Sequence, residues 1–236
     1  MTVKKHIPNF ITSMNLLCGV LGVISAFSGR LDHAFILMLA AAVFDFLDGF
    51  AARLLGAYSD MGKELDSLCD VVSFGVLPAV MLLNLKMTVD YGLSLWDYIP
   101  VPIAIFSALR LAKFNVDPRQ HESFIGLATP PSAMICGSLC SFIYSSTDSA
   151  VAVFCAHCWV LPALALALSA LLVCEIPMFA MKFGKGTSKA EAAIVRKRVI
   201  FLAAAAAGLI LVVALGMNWT LSVVIAFAVY ILINLF

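Results

Sequence analysis

Four aspartates stand in two closely spaced pairs within largely apolar surroundings. Asp45 and Asp48 are three residues apart, and Asp66 and Asp70 are four residues apart. Side chains at either spacing share one face of an α-helix. Ionisable groups in strongly apolar segments are energetically costly, so they indicate function by default. These four carboxylates are therefore the first candidates for chemistry in this chain.

Neighbouring carboxylates cannot all remain ionised without a compensating positive charge. Two divalent cations would supply that charge, and ligands made only of oxygen favour Mg²⁺ or Mn²⁺, with Ca²⁺ as a further option. Two such ions can stabilise the attacked phosphorus and the leaving group of a phosphoryl transfer, while one carboxylate acts as the base. The alternative is a structural role, in which the acids cap or pair at helix ends, as Asp66 alone could do.

Small residues and one arginine surround the acids. Gly49 directly follows Asp48, and Gly62 precedes Asp66 by about one helical turn. Glycine inside a helix is about 1 kcal/mol less favourable than alanine, so it indicates close approach of another helix or a ligand. Arg53 adds a permanent cation suited to a phosphate oxygen. Together these features predict a site for a diphosphate.

The elements that position these residues must lie in a membrane. Of the 236 residues, 63% are apolar and only 12% are charged, whereas a soluble domain carries about a quarter charged residues. The segments long and apolar enough to span a bilayer are 10–29, 33–56, 66–86, 97–115, 129–146, 152–181, 198–216 and 219–236. The sequence thus predicts an all-α polytopic membrane protein with about eight transmembrane helices, in which 1–236 form a single transmembrane catalytic domain. The sixth segment is longer than a bilayer requires, which predicts a tilted or extended helix.

Basic residues predict how the spans are oriented. With the amino terminus inside, only Arg30 and Lys86 of the 15 Lys and Arg residues fall on the outer side. This asymmetry follows the positive-inside rule, so we expect both termini in the cytoplasm. The short connection between the second and third spans then brings the four acids together at their cytoplasmic ends. The net charge of +1 implies no nucleic-acid partner.

The spacing of these residues resembles the signature of the CDP-alcohol phosphotransferase family. It reads Asp45-Phe-Leu-Asp48-Gly49-Phe-Ala-Ala52-Arg53, eight residues, Gly62, three residues, Asp66, three residues and Asp70. Three further runs are similar to the membrane-embedded phosphatidylserine synthases of that family: Pro-Asn-Phe-Ile-Thr-Ser-Met-Asn-Leu-Leu-Cys-Gly from Pro8, Lys-Glu-Leu-Asp-Ser-Leu-Cys-Asp-Val-Val-Ser-Phe-Gly from Lys63, and Ala-Leu-Arg-Leu-Ala-Lys-Phe-Asn-Val from Ala108. The wider resemblance covers about residues 8–131.

The resemblance implies a reaction and its participants. A phosphatidyl group would pass from CDP-diacylglycerol to the hydroxyl of L-serine, giving phosphatidylserine and CMP. Two divalent metals, Mg²⁺ or Mn²⁺, would take part, and membrane lipids would surround the enzyme. The resemblance also implies a homodimer, and we expect the protein in a bacterial or archaeal cell membrane.

The resemblance further implies roles for individual residues. The metal ligands that it implies are Asp45, Asp48, Asp66 and Asp70. Asp48 would serve only the first ion and Asp70 only the second, with the other two acids shared. Asp70 matches the position of the family's general base. Gly49, Arg53 and Ser59 match contacts to the nucleotide or the diphosphate.

The acceptor side of the site is predicted from two cations near the end of the fourth span. Arg110 and Lys113 could bind the serine carboxylate or a lipid phosphate, or they could be ordinary flanking charges. We favour substrate binding for Arg110, because the apolar run before it predicts that it is partly embedded, and the flanking role for Lys113. Asn15 in the first span is a further polar residue that can face the pocket.

Two alternative functions stay open at this point. The same chemistry could use glycerol 3-phosphate, inositol phosphate or choline as the acceptor, although the two phosphorylated alcohols would favour more cationic contacts than serine needs. A membrane cation transporter also carries carboxylates in its spans. Transport sites, however, usually lie near the bilayer midplane in repeated halves, whereas these acids stand toward one side and no repeat is evident.

Overall fold

The part of the protein that the structure describes consists almost entirely of α-helices. The computed structural model describes residues 6–89, 98–117, 124–157, 159–178 and 189–235. The helices in chain order are α1 His6–Phe27, α2 Leu31–Leu55, α3 Asp60–Asp70, α4 Leu77–Val89, α5 Pro102–Val116, α6 Thr129–Ser145, α7 Ala150–Cys155, α8 Val160–Val173, α9 Lys189–Ala214 and α10 Thr220–Leu235. A π-helical turn, Val71–Val76, joins α3 directly to α4. Two short strands, β1 Phe124–Ile125 and β2 Pro177–Met178, pair in antiparallel fashion.

Several of these helices have the length and composition of membrane spans. Within the described ranges, four helices are long and apolar enough to cross a bilayer: His6–Phe27, Leu31–Leu55, Asp60–Leu85 and Ile194–Ala214. Val160–Val173 and Thr220–Leu235 are shorter apolar helices. Many large apolar side chains on α1, α2 and α9 are exposed, as expected where a helix faces lipid. The prediction of an all-α polytopic membrane protein is confirmed.

The prediction of one continuous span over 152–181 is wrong. The described residues of this stretch form two separate helices, α7 and α8, followed by the extended backbone of β2. Pro162 falls in the first turn of α8, where its missing N–H is tolerated, whereas inside a continuous helix it would remove a backbone hydrogen bond. Pro177 disfavours helical backbone at the residue before it. The extra length is therefore a break between helices and not a tilted helix.

The predicted orientation depends partly on residues beyond the described ranges. The basic residues of that argument that lie outside them are Lys4, Lys5, Arg119, Lys182 and Lys185. The cytoplasmic placement of both termini stays a prediction from the charge pattern.

Helix α1 is the element against which the site is assembled. It packs against α2, α3, the π-helical turn and α4. A Cβ atom at Gly19 would overlap Ser73 Oγ, and one at Gly22 would lie 2.6 Å from Leu77 Cδ2. Helix α1 therefore approaches the π-helical turn and the start of α4 as closely as glycine permits, which is typical of helix packing in membranes.

The link between α2 and α3 is short and well defined. Gly56 ends α2 in the left-handed region with φ 58°, and Ala57 N–H donates to the Ala52 carbonyl at 2.9 Å, as in common helix ends. Ser59 begins α3, because its Oγ accepts a hydrogen bond from Gly62 N–H at 3.0 Å. This link brings the end of α2 and the start of α3 together, as the sequence predicts.

A close backbone contact at Gly126 joins the end of β1 to the segment that follows α8. Gly126 has φ +78°, and its N–H donates to the Ile176 carbonyl at 2.9 Å. A Cβ atom on this glycine would lie 2.9 Å from the carbonyl oxygens of Leu172 and Cys174. Both the backbone conformation and the available space therefore require glycine here.

We expect Gly126→Ala to destabilise the protein by about 1–3 kcal/mol more than Gly29→Ala, because the added Cβ atom at residue 126 would also overlap neighbouring carbonyl oxygens. The control is Gly29→Ala, because Gly29 has φ +75° but no atom within 4 Å of an added Cβ. The Gly29→Ala control therefore measures the cost of the positive φ alone, without the steric overlap that an added Cβ atom meets at Gly126. Thermal unfolding in one detergent measures both variants, and equal losses of Tm would contradict the close packing at Gly126.

Candidate active site

Three of the four aspartates meet where α2 and α3 come together. One carboxylate oxygen from each of Asp45, Asp48 and Asp66 lies within 4.8 Å of the others. Asp48 is only 6% exposed, and its two neighbours are half-buried. Two ionised carboxylates at this separation repel each other by roughly 3 kcal/mol at an effective dielectric constant of 20. The cluster therefore needs a compensating cation when all three groups are ionised.

The donor set of this cluster fits a divalent metal. Asp48 Oδ2 and Asp66 Oδ1 are buried, and neither has a hydrogen-bond donor among the residues described. A buried acceptor without a partner is costly, and a hard cation would satisfy both oxygens at once. A ligand set made only of carboxylate oxygen suits Mg²⁺ and Mn²⁺. Three of the four predicted ligands are thus arranged so that they could hold a metal ion between α2 and α3.

Asp70 lies near this cluster but has a different environment. It is 7% exposed at the end of α3, and its Oδ1 accepts a hydrogen bond from Asn15 Nδ2 at 3.1 Å. It interacts electrostatically with Asp45 and Asp66. The two pairs of acids are therefore not equivalent, because three of the four form the tight group and Asp70 is held separately by α1.

A cleft of about 650 Å³ adjoins the acids and is lined by Asp48 and Asp66. Gly49 and Ser59, both predicted to contact the nucleotide or the diphosphate, also line it. The polar cleft residues that were not predicted from the sequence are Asn9, Thr12, Tyr58, Asp60 and Lys63. The cleft is large enough for a nucleotide head group, since small-molecule sites typically measure about 300–1,000 Å³.

Part of the missed set carries a signal in the sequence. Asn9 and Thr12 stand three and six residues before Asn15 in α1, the one residue of this helix that was predicted to face the pocket, so the three form a polar stripe on one face of an otherwise apolar helix. That stripe could have been assigned to the site. Tyr58 and Lys63 instead belong to the link and the first turn of α3, where no periodic pattern marks which side chains face the cleft.

Two of the predicted cations make local contacts at the protein surface. Arg53 Nε donates to the Gly49 carbonyl at 3.0 Å, and the Arg53 side chain is exposed. Lys113 Nζ lies 3.3 Å from Glu175 Oε1 in an exposed ion pair. Such surface pairs contribute at most about 1 kcal/mol. The Lys113 contact agrees with the flanking role favoured for this residue.

Arg110 has a different environment from the surface cations. It is 5% exposed, and its guanidinium carbon lies 5.5 Å from the centre of the Phe114 ring. It also interacts electrostatically with Asp70 and with Tyr230 of α10. A buried guanidinium near the acids is typical of an anion-binding position.

Polar contacts join α3 to the end of the helix that carries this arginine. Asn115 Nδ2 donates to Ser67 Oγ at 2.9 Å, and Lys63 Nζ donates to the Asn115 carbonyl at 3.1 Å. These contacts join the last turn of α5 to the helix that carries Asp66 and Asp70. Arg110 lies five residues earlier in the same helix.

Three curated proteins are similar to the chain over a little more than half of its length. The CDP-diacylglycerol–serine O-phosphatidyltransferase of Bacillus subtilis is 36% identical over 142 residues, which are 60% of this chain and 78% of that protein. A protein of the same name from Methanocaldococcus jannaschii is 36% identical over 139 residues, or 59% of this chain and 62% of that protein. The archaetidylserine synthase of Methanothermobacter thermautotrophicus is 36% identical over 134 residues, or 56% of each protein. The chain thus covers less than two-thirds of the two archaeal relatives.

The family comparison covers the whole acidic cluster. The model of the CDP-alcohol phosphatidyltransferase family matches residues 5–161, which are more than half of the chain. The matched part contains α1, α2 and α3, together with Asp70 and the three clustered aspartates. The resemblance of the signature residues is confirmed, and the chain belongs to the CDP-alcohol phosphatidyltransferase family.

Proposed function

We propose that the protein transfers the phosphatidyl group of CDP-diacylglycerol to the hydroxyl of L-serine, giving phosphatidylserine and CMP. The observation that carries this proposal is the meeting of Asp45, Asp48 and Asp66 beside a nucleotide-sized cleft in a chain of this family. Serine as the acceptor is supported by the three relatives described above, because all of their names specify a serine lipid product or a serine acceptor.

The four aspartates would hold divalent metal in this reaction. Asp45 and Asp66 would be shared by two ions, with Asp48 completing the first set and Asp70 the second. When bound, Mg²⁺ or Mn²⁺ would neutralise charge on the diphosphate and on the departing phosphate. The cytidine diphosphate head would enter the cleft, while the acyl chains remain in the lipid beside the exposed apolar faces of α1 and α2.

The chain's own residues would then bind and orient the substrates. Gly49 lines the cleft without a side chain, so a phosphate can approach the α2 backbone. Ser59 caps α3 through its Oγ and would contact the nucleotide. Arg53 is exposed one turn beyond Gly49, so its guanidinium can reach a diphosphate oxygen by turning away from the backbone carbonyl.

Asp70 would act as the general base at its Oδ2 atom, since Oδ1 is occupied by Asn15. This oxygen takes the proton from the serine hydroxyl as the serine oxygen forms a bond to the phosphorus nearest diacylglycerol. The bond from that phosphorus to the oxygen bridging the two phosphates breaks. CMP leaves with the bridging oxygen and its electron pair, and Asp70 then releases the proton to water.

Arg110 would bind the serine carboxylate, which its burial and its proximity to Asp70 support. We expect Arg110→Lys to raise KM for serine by about 10–100-fold, because lysine loses the paired charge-assisted hydrogen bonds of a guanidinium. KM for CDP-diacylglycerol should change by less than about 3-fold. Lys113→Gln, three residues away and paired at the surface, is the matched control. A serine KM that is altered no more by Arg110→Lys than by the control would remove Arg110 from the site.

A panel of acceptor alcohols tests the proposed substrate. Purified protein with Mg²⁺ or Mn²⁺ and CDP-diacylglycerol is given serine, glycerol 3-phosphate, inositol phosphate or choline, and CMP is measured. We expect release with serine to exceed release with the others. Release with a different alcohol would keep the family chemistry and reject serine. Cation movement into liposomes without any CMP would favour the transport alternative, which family membership does not support.

We also propose how the protein sits in its membrane. Residues 1–236 would form a single transmembrane catalytic domain, with both termini and the site on the cytoplasmic side, as the charge asymmetry favours. A bacterial or archaeal cell membrane is supported by the organisms of the relatives. Two copies would form a homodimer. Mass measurement of the detergent-solubilised protein separates one copy from two, and a monomer at working concentrations would reject the dimer.

A further inference from the structure

Asn15 connects α1 to the proposed catalytic acid. Its side chain is fully buried, and its Nδ2 donates to Asp70 Oδ1 at 3.1 Å across 55 residues of sequence. An amide N–H that donates to an ionised carboxylate forms a charge-assisted hydrogen bond, which is stronger than one between neutral groups. Asn15 therefore interacts directly with the group whose orientation matters most to the proposed reaction.

Asn15 is itself held in place by the π-helical turn. Ser73 Oγ donates to the backbone carbonyl of Asn15 at 3.1 Å, and Ser73 is fully buried. Gly19, one turn beyond Asn15, leaves the space that the Ser73 hydroxyl occupies, because a Cβ atom at Gly19 would overlap it. The π-helical turn begins directly after Asp70. Asp70 and its partner on α1 are thus fixed by two hydrogen bonds and one close backbone approach.

Only the Nδ2 group of the Asn15 side-chain amide has a hydrogen-bond partner among the described residues. Asn15 Oδ1 is buried and has no hydrogen-bond partner among the described residues, and leaving such an acceptor unpaired is costly. A buried asparagine kept only to stabilise packing would be expected to satisfy both ends of its amide. The opposite assignment of the amide would place Oδ1 against the Asp70 carboxylate, which repels it when ionised. The single donated hydrogen bond is therefore the interaction that this residue provides.

We propose that Asn15 is a positioning residue that holds Asp70 through Oδ1 and leaves Oδ2 as the oxygen that takes the acceptor's proton. The proposal rests on the role of Asp70 in the proposed function. A carboxylate fixed at one oxygen presents the other in a constant direction, and correct orientation contributes strongly to catalytic rates. Without the amide donor, Asp70 would keep its chemistry but lose its orientation.

The first test separates kcat from KM. Asn15→Leu keeps the approximate shape and removes the donor, so we expect kcat to fall about 10–100-fold while both KM values change by less than about 3-fold. Asn15→Gln retains an amide and should recover part of kcat. If leucine lowers Tm, Asn15→Asp keeps the shape and should lose at least as much kcat. The matched control is Asn84→Leu, a buried asparagine on α4 about 20 Å along the helix from Asp70, which should keep kcat within about 2-fold.

The second test requires no turnover. Binding of Mn²⁺ is measured by electron paramagnetic resonance for wild type, Asn15→Leu, Asp70→Asn and the double variant. If Asn15 acts through Asp70, Asn15→Leu weakens Mn²⁺ binding about 3–10-fold when Asp70 is present and less than about 2-fold when it is asparagine. The same loss in both backgrounds, or no loss with Asp70 present, overturns the proposal, as does an unchanged kcat. A wild type that makes no CMP with serine would instead reject the proposed function, and the Mn²⁺ cycle would still decide the role of Asn15.

Discussion

Asp70→Asn is expected to lower turnover by about 10³–10⁴-fold, the upper range for loss of a general base. The substitution keeps the size of the side chain and its place beside Asn15, but an amide cannot accept the serine proton. The cluster formed by Asp45, Asp48 and Asp66 remains, so binding of CDP should weaken by less than about 5-fold. Rapid-quench measurement of CMP gives the rate, and calorimetric titration with CDP gives the affinity.

The control for this substitution is chemically identical but distant. Asp32→Asn changes a partly exposed acid in the first turn of α2, about 20 Å along the helix from Asp45, and should leave both rate and affinity within about 2-fold of wild type. Asp70→Asn with near-normal turnover would remove the base from the mechanism. A complete loss of CDP binding would show that Asp70 acts mainly in binding.

Asp45→Asn is expected to weaken divalent metal binding by at least about 100-fold, equivalent to about 2.7 kcal/mol. Asp45 shares the tight group with Asp48 and Asp66, and it would ligate both ions, so its loss removes a charged oxygen from each. We expect kcat/KM to fall about 10³-fold or more, because the diphosphate also loses its counter-charge. Mn²⁺ binding by electron paramagnetic resonance measures the metal directly, and CMP release measures the consequence.

The result for Asp45→Asn differs in kind from that for Asp70→Asn. The first should impair metal and nucleotide binding together, whereas the second should mainly impair turnover. Asp32→Asn again controls for the loss of one carboxylate from α2. Metal affinity that is unchanged by Asp45→Asn would contradict the ligand set, even if activity were lost.

Much of the site could be predicted because its determinants are local in sequence. The spacing of Asp45 and Asp48 places both on one face of α2, whatever surrounds the helix. The short link at residues 56–59 then leaves little freedom in where α3 begins, so Asp66 must come close to α2. Hydrophobic length sets the extent of α1 and α2 for a similar reason, because a membrane span has a minimum number of apolar residues.

The remaining features depend on contacts between distant segments. The sequence spacing predicts the same role for Asp66 and Asp70, yet only Asp66 lies in the tight group. Asp70 is held instead by Asn15, and the helix changes to a π-helical turn directly after it. Hydropathy could not show that turn, since every residue in Val71–Val76 except Ser73 and Gly75 is a large apolar one. The break before α8 was not predicted for a similar reason. Mean hydropathy stays high across residues 152–181, and it does not register the effect of Pro162 on the helix.

The most direct measurement is the transfer of isotope-labelled L-serine into lipid by the purified protein in liposomes that contain CDP-diacylglycerol. Mass spectrometry of the extracted lipids follows the label, and CMP is measured in the same samples with EDTA, with Mg²⁺ and with Mn²⁺. We predict one labelled phosphatidylserine for each CMP, formed only when a divalent metal is present and lost in Asp70→Asn. Labelled lipid formed equally well in EDTA, or CMP released without labelled lipid, would contradict the account.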